Sequence, residues 1–242
     1  MASLPVETIA LLQKHSLPAM VRHELERRIL AGELLPGAKL NEADIADDLK
    51  VSRGPVREAF RALDQAGLVR TEKNRGVFVR ELTHFEADEI YEVRAGLDAM
   101  IGQLVAERCT PAQVEALKKL LKEMDRAAKK RSVDEYYPLN VRFHDLLAQF
   151  TGNETLLAMY RRLVNELHLY RRETLEHGPE SFPTSTKEHQ AIVDAISRGD
   201  AEAASRLLHD HAIESRERLH RTLERASIPL PRPAAKKRRK SA

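Results

Sequence analysis

Asn140 and His144 stand four residues apart in NVRFH, so a helix would bring both side chains to one face. Two further histidines lie in helical contexts, His189 in KEHQAIVDAI and His211 in GDAEAASRLLHDHAI. Three imidazoles and one oxygen donor suit a divalent transition metal with positions left open for water or a ligand. Each histidine alone reads equally well as an ordinary surface or core residue, and the chain holds ten of them. His209, two residues before His211, points elsewhere on its helix. A different chemistry attaches to Arg53, Arg57 and Arg61, which share one side of a helix whose other side carries Val56, Phe60 and Leu63. An arginine there can contact guanine O6 and N7 together, worth about 1–3 kcal/mol of discrimination. Three arginines at that spacing are also what a solvated helix face looks like. Arg94 sits beside apolar Val93 and Leu97, where a guanidinium without a partner is costly. Its partner is either Asp98, four residues on, or an acidic ligand.

The elements that must position these groups follow from pattern. The chain has 242 residues with 42% hydrophobic and 32% charged, a globular rather than disordered or membrane composition. Its net charge of +3 conceals an asymmetry, because six basic and no acidic residues follow Arg232, counting Arg232 itself. The basic overall balance is therefore no argument for DNA; the seven basic and three acidic residues between Ser52 and Arg80 are a better one. A single cysteine, Cys109, excludes an internal disulfide and suits a reducing cytoplasm. The segment MASLPVETIALLQKHSLPAMV carries neither a signal-peptide pattern nor a membrane anchor. A cytoplasmic location is expected, on the nucleoid when DNA is bound.

Turn-formers cluster before residue 82 and thin out after it, which predicts two domains, 1–82 and 83–226, followed by a disordered basic tail over 227–242. In the first, helices are expected over Ala19–Ala31, from the Asn41 cap through Leu49, and from about Arg53 to Ala66 with Ser52 as N-cap. Gly67 stops the third helix, and LVRT and VFVRE flank KNRG as a small hairpin. The second domain reads as six helices. Thr83 with Glu86 forms a capping box ahead of a stripe of Ile90, Val93, Leu97, Ile101 and Leu104. Thr110 and Pro111 open the next helix, and further helices fit 133–150, 154–177, 185–198 and 200–225. The fold class is mainly α, a three-helix unit with a hairpin followed by an antiparallel helical bundle.

The string NEADIADDLKVSRGPVREAFRALDQAGLVRTEKNRGVFV resembles the winged helix-turn-helix of the GntR family of bacterial transcription regulators. The resemblance implies that Ser52 and Arg57 meet phosphates, that Arg53 and Gly54 lie near base edges, and that Gly76, beside Arg75, enters the minor groove at the wing tip. Ala43 stands where relatives often carry a DNA-contacting arginine, and Gly54 where many carry threonine, so base preference does not transfer. Residues 85–222 are similar to the FCD effector domain of FadR-like members. That likeness implies metal ligation by Asn140, His144, His189 and His211, with zinc the leading ion and nickel or manganese the alternatives. Asn140 replaces an aspartate common in relatives, leaving more positive charge at the metal. It further implies a small organic-acid effector that pairs with Arg94, with Asn165 as a second pocket residue.

Three functions are consistent with these residues. A dimeric, ligand-controlled regulator of operator DNA, acting as a repressor rather than an enzyme, absorbs every motif. A metallohydrolase could use the same histidines, but the sequence has no H-E-x-x-H and no general base beside His144. A DNA-architectural protein relying on the tail conflicts with the acidic balance of the 231 residues before it, 34 basic against 37 acidic.

Overall fold

The computed structural model describes residues 16–177 and 181–226. The basic tail and the N-terminal segment before Ser16 lie outside them. The described chain forms two compact units. The first takes in residues through Glu81 together with Val164–Leu169, and the second takes in Leu82–Leu163 and the chain from Tyr170 on.

The first unit opens with α1 (Leu17–Leu30), whose start is capped by the Ser16 hydroxyl accepting from the Ala19 amide, with Pro18 in the first turn where its missing N–H costs nothing. Then come β1 (Lys39–Leu40), α2 (Glu42–Asp48), α3 (Arg53–Gln65), β2 (Val69–Glu72) and β3 (Gly76–Val79). Val21, Leu25 and Ile29 of α1 meet Val56, Phe60 and Leu63 of α3, together with Leu40, Leu68, Val69 and Val79 from the sheet side. Each such buried side chain contributes about 1.5–3 kcal/mol relative to exposure. The turn between α2 and α3 closes with the Val51 amide on the Ala46 carbonyl and with Lys50 at φ 55°. The three-stranded sheet has the order β1-β3-β2, all antiparallel, with Val69 opposite Val79 and Glu72 opposite Gly76. β1, pairing Lys39 with Phe78 and Leu40 with Val77, is an element that the alternation of residue types did not announce.

The second unit contains α4 (His84–Arg108), α5 (Pro111–Lys130), α6 (Val133–Phe150), α7 (Glu154–His177), α8 (Phe182–Ser197) and α9 (Ala201–Ala226), with Val164–Leu169 of α7 belonging to the first. Both expected capping boxes form, Thr83 with Glu86 and Thr110 with Gln113. α8 begins three residues earlier than the sequence suggested, because Pro183 occupies its first turn rather than a loop.

The apolar stripe expected on α4 is rotated. Ile90 and Ile101 are buried, but Val93 is 53% exposed, and Leu97 and Leu104 are only half-buried. The inward face carries Ala87, Tyr91, Arg94, Ala95, Asp98, Gly102 and Val105. Its small residues let α9 approach. A Cβ on Gly102 would lie 2.4 Å from the carbonyl oxygen of Ala204, so only glycine permits this contact. With Gly102 against Ala204 and His84 against His220, α4 and α9 run antiparallel.

Candidate functional sites

In the first unit the α3 arginines project from a helix whose core face is fixed by Val56, Ala59, Phe60 and Leu63. Ser52, Arg53, Gly54, Arg57, Arg75 and Gly76 are all exposed. Ser52 stands at the N-cap position but makes no side-chain capping bond. An exposed hydroxyl at a helix N-terminus, where amide N–H groups point outward, suits a phosphate. Arg57 is held by Glu42 of α2 through two bonds of 2.9 Å, which lowers the Glu42 pKa below the usual carboxylate range. On the wing, Asn74 at φ 62° and Gly76 at φ 111° make the turn, and Arg75 pairs with Glu72 while its guanidinium lies 5.7 Å from the Phe78 ring centre.

In the second unit, α6 supplies Asn140 and His144, α8 supplies His189 and α9 supplies His211; all four are buried. The Nε2 atom of His189 lies 3.3 Å from that of His144 and 3.1 Å from that of His211. Phe143 packs against both His144 and His189. The Nδ1 atom of His211 is 2.6 Å from Glu188 Oε2, so that nitrogen carries the proton and Nε2 presents a lone pair to the centre. Arg218 in turn fixes Glu188, with Nη1 and Nη2 donating to its two oxygens at 2.7 and 2.9 Å. Facing imidazoles can share a proton pair by pair, whereas one divalent cation accepts a lone pair from all three at once. Three buried nitrogen donors, that of His211 aimed by a carboxylate on its far ring nitrogen, therefore fit a zinc-type ion.

Beside these histidines is a cavity of about 40 Å³, room for roughly three waters at 10–15 Å³ each. Among the residues lining it are Asn140, Tyr136, Ser185, Ser215, Thr222 and Arg218. Tyr136 is stacked on Phe182 with ring centres 4.3 Å apart, and burial pushes its hydroxyl pKa up.

Neither residue expected to meet the effector is among those lining this cavity. Arg94 is fully buried with its Nε atom 3.1 Å from Asp98 Oδ2. Burial works against its charge, but Tyr160 and Asp98 hold its pKa above the ordinary arginine value. It does not line the cavity, although it contacts the ring of Tyr91, which does. Asn165 donates to the Ala66 carbonyl oxygen at 3.2 Å. The cation at the cavity is Arg218. Neither it nor Glu188 was singled out from the sequence, although Glu188 immediately precedes His189 in KEHQ and acidic residues commonly orient a ligating histidine.

Two family models match the chain: bacterial regulatory proteins, gntR family, over residues 17–79, and the FCD domain over residues 89–214. An uncharacterized HTH-type transcriptional regulator, YdhC, of Bacillus subtilis is 31% identical over 84% of this chain and 90% of its own. A gluconate operon transcriptional repressor of Bacillus licheniformis is 28% identical over 83% of this chain and 84% of its own. The solved structure of Escherichia coli McbR/YncC shares the fold with a TM-score of 0.75 at 23% identity, over 85% of this chain and 98% of that one. These families and relatives are transcription regulators, not enzymes.

Proposed function

Since the chain belongs to the GntR family of bacterial transcription regulators, with an FCD domain following its winged helix-turn-helix, we propose that it is a homodimeric repressor controlled by a small carboxylate bound beside a divalent metal. The observation that carries the reading is the convergence of three buried imidazoles next to a cavity bounded by Asn140 and Arg218. His144, His189 and His211 would hold the ion, with Asn140 as the oxygen donor. Bound there, the metal supplies a positive centre whose remaining positions an acid oxygen can fill. Arg218 donates one N–H from each Nη to Glu188 and a second from Nη2 to Ser215, and its remaining N–H donors would serve an acid oxygen. The hydroxyls of Ser185, Ser215 and Thr222 suit the polar remainder of a small organic or sugar acid. Arg94, engaged with Asp98, supports the cavity wall from behind Tyr91.

On the DNA side, α3 enters the major groove with Arg53 at base edges, Arg57 and Ser52 hold phosphates, and Arg75 and Gly76 reach the minor groove. Two copies are required because half-sites lie about one helical turn apart. The effector changes operator affinity by no more than its difference in affinity between the two states of the dimer.

Operator binding is tested by gel shift with the DNA upstream of the protein's own gene, and the absence of preference over competitor DNA would reject the regulator reading. Metal content of wild type against His144→Ala with His189→Ala tests the centre; equal content removes it. A thermal-shift screen of small acids on the metal-loaded protein then identifies the effector. The hits should vanish in Arg218→Ala and persist in Asn165→Ala.

A further inference from the structure

A second set of metal-type donors lies where α4 begins and α9 ends. His84 and Asp88 are four residues apart on α4, and His220 and Glu224 are four apart on α9, so each helix offers one imidazole and one carboxylate on a single face. The His220 Nε2 atom is 2.7 Å from Asp88 Oδ1. The rings of His84 and His220 have centroids 4.3 Å apart and are tilted by 39°. One donor atom each from His84, Asp88 and His220 lies within 4.8 Å of the others, and Glu224 is near enough for its charge to act on His84. The first three are half-buried and Glu224 is exposed, so the cluster is open to solvent in a way the buried triad is not.

We propose that His84, Asp88 and His220 form a second divalent-metal site, separate from the triad, that ties the start of α4 to the last described turns of α9, with the Glu224 charge close by. Two imidazoles and one carboxylate are a three-ligand set for zinc, nickel or cobalt that leaves a position for water, and the carboxylates of Asp88 and Glu224 offset the charge of a dication. The His220–Asp88 hydrogen bond at 2.7 Å places two donor atoms slightly closer than the roughly 3.3 Å that separates two ligands of one tetrahedral ion, so a small opening admits the ion.

The test uses the full chain stripped by chelator and titrated with cobalt(II), whose visible absorption reports nitrogen and oxygen ligation. In a His144→Ala, His189→Ala background the protein should still take up one cobalt per chain. Adding His220→Ala should weaken that uptake by more than the roughly 10–100-fold that even an outer-sphere partner costs. Asp88→Asn should weaken it as well, and Glu224→Gln least, because that side chain is the most exposed. Should His220→Ala fail to fold by circular dichroism, Asp88→Asn and Glu224→Gln decide. No cobalt uptake in the triad-deleted background, or uptake indifferent to all three changes, overturns the site.

Discussion

In the DNA-binding unit every candidate contact residue lies on the surface, and the core of Val21, Leu25, Val56, Phe60 and Leu63 is built without them. In the helical unit the candidate residues are themselves core: Arg94, Asp98, Asn140, His144, His189 and His211 are all buried. A surface site separates recognition from stability, because an exposed ion pair such as Arg57 with Glu42 is screened by solvent and adds little to the fold. A buried site couples the two, because each polar group inside must be matched or its desolvation is felt by the whole fold. The same sequence distance of a few residues thus separates a substitution that changes what is bound from one that changes whether the unit folds.

The largest test of this contrast is Arg94→Ala, which leaves the Asp98 carboxylate buried without its cation and should cost about 3–5 kcal/mol in denaturant unfolding. Arg94→Met with Asp98→Leu should recover most of that loss; a single variant as stable as wild type would break the contrast. Glu188→Gln comes next. Loss of the carboxylate that aims His211 should weaken zinc affinity about 10–100-fold by competition with a chelating dye, whereas an unchanged affinity would detach Glu188 from the centre. On the surface side, Arg53→Ala should lose about 1–3 kcal/mol of operator binding while its unfolding midpoint stays within about 0.5 kcal/mol of wild type. A shift in that midpoint would mean the surface site is not separable after all. The smallest effect is expected for Glu42→Gln, which frees Arg57 and removes a negative charge near Arg53 and Arg61. DNA binding should tighten by at most about 1 kcal/mol, and the gain should fade as salt screens it.

Legibility in the sequence followed the same division. The recognition helix could be read because its core face and its arginine face alternate within thirteen residues, and the hairpin because KNRG punctuates two alternating runs. β1 could not, since two residues, Lys39 and Leu40, carry no period of their own and gain one only by pairing with β3. On α4, counting apolar residues favoured the face through Val93, Leu97 and Leu104. The buried face is instead the one where Ala87, Ala95 and Gly102 are small enough to admit α9, and Arg94 and Asp98 go inward together as an ion pair with Tyr160 supporting the arginine charge. The three histidines were visible through their contexts. The Arg218–Glu188 pair that orients one of them joins positions 30 residues apart, and the His84–Asp88 pair lacked its third member until α9 brought His220 from 132 residues away.

The contact between Gly102 and Ala204 gives α4 and α9 a fixed point. From Gly102 back to His84 the helix spans eighteen residues, about 27 Å at 1.5 Å per residue. Backbone pressed on backbone at one end yields less than hydrogen-bonded side chains at the other, so any tilt of the pair would pivot at the glycine as a lever does at its fulcrum. A tilt of roughly 2° about that fulcrum carries the far end through about 1 Å over this length. Replacing Gly102 with alanine would therefore move the fulcrum itself, altering the leverage along α4 without touching a single residue proposed to bind metal, acid or DNA.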